Sequence, residues 1–255
     1  MSVDFDIKDN VARVTLNRPD RLNAIDSVTD ATLADIWNRI EGDSRIRCVV
    51  LTGTGKAFCS GADMKEDGPD GLTYWASTGD YGFGGNSFGG RISVPIIARV
   101  NGLAVGGGFE MVLGCDLIVA AETATFGLPE PRVGRLPLDG MITLPRLIPR
   151  ALAFGMLLTG RKISAMEAVE LGLINQAVEV EQLDTAVDAL IQDILACGPL
   201  SLKAIKRSYY DTVHLPVWQA RNSRGRDLVK ALQSEDAKEG VTAFREKRAP
   251  IWKGC

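Results

Sequence analysis

The chain has 255 residues, 45% of them hydrophobic, which is enough to bury a substantial core in one large domain or in one domain with a smaller extension. Its formal net charge of -3 lacks the basic excess that is typical of nucleic-acid-binding proteins. No basic N-terminal segment precedes an apolar run, and no apolar stretch approaches the roughly 18 residues of a membrane span, so we expect a cytoplasmic protein without nucleic-acid or membrane partners.

The cysteines and the histidine also limit the possible chemistry. The five cysteines are an odd number, are widely spaced and include no CxxC pair, which argues against a disulfide framework and against a zinc site. We therefore expect reduced thiols and no metal. The single histidine, His214, lies close to a proline in a segment that reads as an inter-helix loop, so a surface position is expected and a Cys-His nucleophile is poorly supported.

In chain order, the first pattern is an alternation of apolar and polar residues on both sides of Lys8-Asp9-Asn10, which predicts a β-hairpin with its turn there. A helical pattern runs from Ser27 to about Ile40. A buried strand over 48–53 and a short apolar return in KAFCSGAD follow.

The middle of the chain repeats one pattern. Residues 66–91 are rich in glycine and aromatic residues without clear periodicity, which predicts a long irregular loop. Apolar strands over 95–100 and 116–121 flank a glycine turn and a short helix at about 108–114. Buried strand, glycine turn and helix thus recur at least twice, which indicates stacked β-β-α units in an α/β fold.

The last part of the chain is expected to be helical. After Pro137 the chain reads as helices, with a clear stop at Gly198 and Pro199. A helical tail after an α/β body often packs onto another subunit, so we expect oligomerisation.

Two glycine-rich segments fail as phosphate-binding motifs. GTGKAF (53–58) would need a glycine at Val50 and a serine or threonine at Ala57 to form a P-loop. The GGGFEM segment has no glycine three residues after Gly108 and no evident downstream acid for a ribose, so it does not match the dinucleotide fingerprint. The glycines must therefore be explained together with other segments.

Four segments supply that combination: LNRPDRLNAID (16–26), AFCSGADMKE (57–66), NGLAVGGGFE (101–110) and FGLPEPRVG (126–134). In this order and spacing they resemble the crotonase superfamily, and more narrowly the enoyl-CoA hydratases. LLTGRKISAMEAVELGLIN (157–175) and FREKRAPIWKG near the end are similar as well, so the resemblance covers essentially the whole chain.

The resemblance implies a fold, an assembly and a division of the chain. The expected fold is α/β, a crotonase-like spiral of stacked β-β-α units with a C-terminal α-helical oligomerisation region. Residues 1–197 would form the core with the active site, and residues 198–255 would serve oligomerisation and complete the CoA site. The expected assembly is a homotrimer or a homohexamer.

An oxyanion hole is the first part of the implied site. An acyl-CoA thioester reacts at its α or β carbon through an enolate, and two backbone N–H groups can stabilise the oxygen that gains charge. A glycine turn that leads into a helix provides an amide without an intrahelical partner, at the positive end of the helix dipole. The resemblance assigns this amide to Gly107 and the second one to Ala62 in SGAD.

A pair of carboxylates is the second part. The resemblance implies that Glu110 and Glu130 hold the water that adds to the β carbon, and that Glu130 donates the proton to the α carbon. From the residues alone, Glu110 would be an ordinary carboxylate in the first turn of a helix, and Glu130 an unremarkable residue fixed between two prolines.

The third part is a CoA-binding surface, for which the resemblance implies Arg21, Ala24, Ala62, Asp63, Met64, Lys65, Phe244 and Lys247. Lys65 or Arg21 would attract the phosphates, although solvated surface charge is the simpler explanation of each. Phe244 and Lys247 would reach a CoA site that often belongs to a neighbouring subunit. No cofactor is expected, because coenzyme A is part of the acyl-CoA substrate.

The chain departs from typical hydratases in two places. Leu138 and Asp139 stand where small residues are expected, and only Gly140 is retained, so the acyl pocket or the hold on the catalytic water is expected to differ. The loop from Gly68 to Gly90 also offers aromatic side chains for a cyclic or aromatic acyl group: Tyr74, Trp75, Tyr81, Phe83 and Phe88.

We therefore predict an enoyl-CoA hydratase-like lyase that adds water reversibly across a 2-enoyl-CoA thioester. Four alternatives stay open at this point. Within the superfamily they are a hydratase or dehydratase of an unusual carnitinyl-like or cyclic acyl-CoA, a Δ3-Δ2-enoyl-CoA isomerase, and a thioester hydrolase. Outside it, a non-catalytic acyl-CoA binder or a structural subunit is the alternative.

Overall fold

Strands and helices alternate along the chain in the computed structural model, which describes residues 2–66, 71–77 and 79–255. The strands are β1 (Val3–Lys8), β2 (Val11–Leu16), β3 (Cys48–Gly53), β4 (Ala57–Cys59), β5 (Ile96–Val100), β6 (Leu103–Val105), β7 (Leu117–Ala121), β8 (Thr125–Gly127), β9 (Lys162–Ser164) and β10 (Gln176–Val178). The helices are α1 (Ser27–Gly42), α2 (Gly71–Ser77), α3 (Gly107–Leu113), α4 (Gly140–Leu147), α5 (Arg150–Thr159), α6 (Ala165–Glu170), α7 (Leu183–Ala196), α8 (Pro199–Thr212), α9 (Val217–Asn222), α10 (Arg226–Gln233) and α11 (Glu235–Glu246).

Across the described ranges, the strands form two sheets, in the orders β1-β2-β3-β5-β7-β10 and β4-β6-β8-β9. β1 and β2 form the predicted hairpin, and Asp9 and Asn10 take the positive φ angles of its turn. β3, β5 and β7 lie parallel in the first sheet, and each is followed by its successor β4, β6 or β8 in the second. The chain therefore winds as a spiral of stacked units, which confirms the prediction of the fold.

The central strands β3, β5 and β7 of the first sheet are buried on both faces, which explains their nearly continuous apolar sequences. In β3, Val49 and Leu51 face the main core between the sheets and helices, whereas Cys48 and Val50 face α7. α7 covers the sheet with a stripe of apolar residues at three-to-four spacing, Leu183, Val187, Ile191 and Ile194. No single helix in the described part of the chain is long and apolar enough to cross a membrane.

The segment 66–91 contains more regular structure than predicted. α2 forms within it, and a 3₁₀ turn follows at Phe83–Gly85, where the Trp37 Nε1–H donates to the Gly84 carbonyl oxygen at 2.8 Å. This hydrogen bond comes from α1, which is far away in the sequence, so no local sequence pattern predicts it. Residues 67–70 and 78, and with them Gly68, lie outside the described residues.

The prediction that the chain is helical after Pro137 was incomplete. β9 pairs with β8 and β10 pairs with β7, so both sheets gain a strand from the later part of the chain. Each strand has three residues, which is too short for alternation to show, and the existing sheet edges supply the backbone partners. The division of the chain at residue 197 stays a prediction.

Candidate active site

The glycine run after β6 brings the chain into close contact with the SGAD segment after β4. A Cβ on Gly61 would lie 3.0 Å from the backbone nitrogen of Gly107, and a Cβ on Gly108 would collide with the carbonyl oxygen of Cys59. Gly61 also has a φ of 90°, which disfavours any other residue. These glycines therefore allow the two backbones to approach each other at one end of the second sheet.

Two backbone N–H groups are available at this junction. The Ile25 N–H donates to the Gly61 carbonyl, and the Asp63 N–H donates to the Ile25 carbonyl, so Ala62 between them directs its own N–H away from this pairing. Gly107 is the first residue of α3, where an N–H has no intrahelical acceptor. Among the described residues, neither N–H donates a hydrogen bond. Together they can receive an oxygen that gains negative charge.

Glu110 is a buried carboxylate in the first turn of α3, with 4% of its surface exposed. Its Oε1 accepts hydrogen bonds from the backbone N–H groups of Asp139 (3.0 Å) and Gly140 (2.8 Å), which begin α4. Burial raises the pKa of Glu110 to about 8; the Gly140 N–H opposes the rise, and the negative charges of Asp139 and Glu130 add to it. Glu110 thus lies on α3, but its carboxylate is held by hydrogen bonds from the start of α4.

Glu130 begins the 3₁₀ turn Glu130–Val133 between its two prolines. Its Oε1 lies 3.0 Å from the place that a Cβ on Gly106 would occupy. Its Oε2 is buried and has no hydrogen-bond partner among the described residues. Burial raises the pKa of Glu130. Since buried polar atoms are nearly always satisfied, an unpaired carboxylate oxygen here indicates a place for a water molecule or a ligand.

The structure therefore brings Ala62, Gly107, Glu110 and Glu130 into one region. Gly61 joins Ala62 to Gly107, Gly106 adjoins Glu130, and Glu130 is close enough to raise the pKa of Glu110. The roles of these residues stay predictions, but their convergence is what a reaction through an enolate requires.

The expected CoA-binding segment is held by an ion-pair network. Asp63 pairs with Arg21 at 2.6 Å and with Arg18 at 3.0 Å. Burial would raise the pKa of Asp63, but the N–H of Lys65 and the two guanidinium groups outweigh it and lower that pKa. Arg21 thus has an acidic partner within the protein, which partly neutralises its charge and weakens its attraction for a phosphate. Sequence reasoning did not identify Arg18.

The other residues of the expected CoA surface differ in exposure. Ala24 is buried, and its carbonyl accepts a hydrogen bond from the Arg18 Nη1 at 2.5 Å. Met64 is 61% exposed, and Lys65 is also exposed. Phe244 on α11 is 85% exposed. In the described residues, no hydrogen bond or ion pair connects Phe244 or the following Lys247 to the glycine turn or to SGAD.

Two aromatic side chains form a wall beside the glycine turn, here called the aromatic wall (Tyr74 and Phe83). The ring of Phe83 is buried, and its centroid lies 6.5 Å from that of Tyr74. A Cβ on Gly107 would lie 2.5 Å from the Phe83 ring, so the ring packs directly on this glycine. Trp75 and Tyr81 are 59% and 42% exposed, and Phe88 is half-buried.

We expect Gly107→Ala to lower stability and activity together, because its Cβ would overlap the Phe83 ring. Overpacking of this kind typically costs about 1–3 kcal/mol. In a double-mutant cycle of thermal unfolding, Phe83→Ala should remove most of the cost of Gly107→Ala. Gly155→Ala in α5, where a Cβ meets open space, is the matched control and should stabilise the protein by up to about 1 kcal/mol, because alanine favours the helix. Equal effects of the two glycine substitutions would contradict this packing.

Known proteins match this chain over nearly its full length. The enoyl-CoA hydratase/isomerase family matches residues 6–255. The (E)-benzylidenesuccinyl-CoA hydratase of Thauera aromatica is 40% identical, with 100% of each chain covered. The carnitinyl-CoA dehydratase of Salmonella typhi is 38% identical, covering 96% of this chain and 95% of the relative. The solved enoyl-CoA hydratase of Bacillus anthracis superposes with a TM-score of 0.91 at 31% identity, with 100% of both chains covered.

Proposed function

The chain belongs to the enoyl-CoA hydratase/isomerase family, and from this membership and the geometry of the site we propose that it is a hydratase that adds water reversibly across a 2-enoyl-CoA thioester. One observation carries the proposal: the buried Glu110 and Glu130, whose Oε2 is buried, lie beside two backbone N–H groups that donate no hydrogen bond among the described residues. An isomerase needs a single acid-base group, whereas addition of water uses a pair.

The thioester oxygen would bind to the N–H groups of Ala62 and Gly107. When water adds to the β carbon, a C–O bond forms and the electrons of the C=C double bond move to the α carbon. The thioester thereby becomes an enolate, whose oxygen carries the negative charge. Each of the two donors stabilises that charge, and removal of one such donor typically costs about 3–4 kcal/mol of barrier.

The two glutamates would divide the proton transfers. The pair works with one proton shared between two carboxyls: the raised pKa of Glu110 places that proton on Glu110 in the free protein, and the reacting form is the one in which it lies on Glu130. In that form the ionised Glu110 accepts a proton from the attacking water, and the protonated Glu130 donates one to the α carbon. We assign the donation to Glu130, because its Oε2 has no hydrogen-bond partner in the described part of the chain and the residue adjoins Gly106 at the oxyanion hole. We assign the water to Glu110, whose orientation is fixed by two backbone N–H groups.

The acyl group is a second question, and the aromatic wall favours one with a ring. Phe83 packs on Gly107, where the thioester is proposed to bind, and Tyr74 extends that surface. The similarity to a benzylidenesuccinyl-CoA hydratase supports an aryl-substituted enoyl-CoA, and the similarity to carnitinyl-CoA dehydratases supports dehydration of an unusual acyl-CoA as the second candidate.

The remaining parts of the proposal concern binding. SGAD and the neighbouring Arg21 would contact CoA, Phe244 and Lys247 would complete its site, and the chain would assemble as a homotrimer or homohexamer. The reaction needs no metal or redox cofactor, because the thioester is activated by backbone N–H groups alone.

We expect kcat/KM for crotonyl-CoA to follow a bell-shaped pH profile. Activity should fall at low pH, where both carboxyls are protonated and no base remains, and again above about 8, where the second proton leaves the pair. Loss of the absorbance of the conjugated thioester, measured across pH with crotonyl-CoA and with cinnamoyl-CoA, gives both the profile and the substrate preference. No turnover of either compound at any pH would contradict the proposed function.

A further inference from the structure

Asp139 is a buried carboxylate that the proposed proton transfers do not use. Only 7% of its surface is exposed, and although it precedes α4, its side chain does not cap that helix. Its Oδ2 instead accepts hydrogen bonds from the Phe83 N–H (2.8 Å) and from the Ser87 hydroxyl. Asp139 therefore connects α4 to a segment more than fifty residues earlier in the chain.

The segment that it holds, residues 82–87, is shaped around this carboxylate. A Cβ on Gly82 would lie 2.5 Å from the Asp139 Oδ2, and Gly82 has a φ of 70°. From the opposite side, the Trp37 indole donates to the Gly84 carbonyl. The 82–87 segment is thus fixed between α1 and the start of α4, and its place depends on buried, charge-assisted hydrogen bonds.

Two parts of the proposed site meet through Asp139. Phe83, held by the side chain of Asp139, packs on the oxyanion glycine Gly107. The backbone N–H groups of Asp139 and Gly140 hold the Glu110 Oε1. A shift of Asp139 would therefore displace the aromatic wall and the carboxylate at the same time.

We propose that Asp139 is a positioning residue, which joins Phe83 and Glu110 into one unit and so fixes the acyl group relative to the water. This inference rests on the proposed function. A misplacement of about 1 Å can lower a rate by roughly 100-fold. Asp139 can therefore have a large effect on turnover without contacting the substrate.

The test compares Asp139→Ala with the conservative Asp139→Asn. Alanine removes the acceptor of the Phe83 N–H, and we expect kcat for crotonyl-CoA to fall by about 30-fold, with KM changed less than about threefold. Asparagine keeps an oxygen for that N–H and should restore kcat to within about fivefold of wild type. Ser87→Ala removes only the hydroxyl donor and should give a loss between those of the two Asp139 variants.

A second measurement does not depend on turnover. Hydrogen exchange of the peptide that carries the Phe83 amide, followed by mass spectrometry, should accelerate at least about tenfold in Asp139→Ala and stay near wild type in Asp139→Asn. If wild type hydrates no enoyl-CoA, the proposed function fails while this measurement still decides whether Asp139 holds the segment.

Asp236 provides the matched control. It is 4% exposed and accepts hydrogen bonds from the backbone N–H groups of Lys253 (2.7 Å) and Gly254 (2.9 Å), away from the glycine turn in sequence and in its contacts. Asp236→Ala should lower the melting temperature without changing kcat or the exchange of the Phe83 peptide. Wild-type kcat and wild-type exchange in a folded Asp139→Ala would overturn the inference, and so would equal losses of kcat in Asp139→Ala and Asp236→Ala.

Discussion

Glu130→Gln should lower kcat for hydration of crotonyl-CoA by about 10³-fold, which is within the usual range for the loss of a positioned acid-base group. Glutamine keeps the size of the side chain, and its amide can still donate a hydrogen bond, but it cannot transfer a proton to the α carbon. Oε2 of Glu130 is buried without a hydrogen-bond partner among the described residues, so no group hydrogen-bonded to it within that part of the chain can take over the transfer.

The same variant should still bind its substrate. The Arg21–Asp63 ion pair and the N–H groups of Ala62 and Gly107 are untouched, so the dissociation constant for crotonyl-CoA, measured by calorimetry, should stay within about threefold of wild type. Glu122→Gln makes the same glutamate-to-glutamine change at an exposed carboxylate and is the control. It should leave kcat and the dissociation constant for crotonyl-CoA unaltered. Turnover by Glu130→Gln within about tenfold of wild type would contradict the assigned role.

Glu110→Gln is expected to have opposite effects on activity and stability. We expect kcat to fall by about 10²- to 10³-fold, because glutamine cannot accept a proton from water. Its carbonyl oxygen can still accept the N–H groups of Asp139 and Gly140, so α4 should stay in place. The variant should also unfold at a higher temperature than wild type at alkaline pH.

The sign of the stability effect follows from the raised pKa. Burial raises the pKa of Glu110 from 4.5 to about 8, so the folded protein holds this proton after the unfolded chain has lost it. Stability from this group is complete below pH 4.5 and is lost as the pH rises through about 8. The melting temperature of Glu110→Gln should match that of wild type near pH 4.5 and exceed it by several degrees near pH 8. A difference that does not change with pH would contradict a buried, protonated Glu110.

The main features of the fold could be predicted from local patterns. β3, β5 and β7 are nearly continuous apolar runs because these strands are buried on both faces of the sheet, and such runs are visible without any knowledge of neighbouring elements. β9 and β10 could not be predicted, because three residues carry no period and their partners β8 and β7 lie far away in the sequence.

The site was predictable only in part, for a similar reason. The glycine turn, SGAD and the two glutamates stand in motifs, so a resemblance to a family assigned them. At Asp139 the sequence predicts only a departure that changes the acyl pocket or the hold on the catalytic water, because the bond from the Phe83 N–H to this side chain joins distant segments and depends on the backbone of the 82–87 segment. In the same way, the pairing of Arg21 with Asp63 could not be derived from two separate motifs.

The central claim is that Glu110 and Glu130 add water to the double bond of an enoyl-CoA. Its most direct test is turnover of crotonyl-CoA in water labelled with heavy oxygen, with the product analysed by mass spectrometry. We predict one heavy oxygen in the β-hydroxyl of a hydroxyacyl-CoA with the wild type, and almost none in the same time with Glu110→Gln or Glu130→Gln. Heavy oxygen in a released free acid, a migrated double bond without label, or unchanged labelling by both variants would contradict the account.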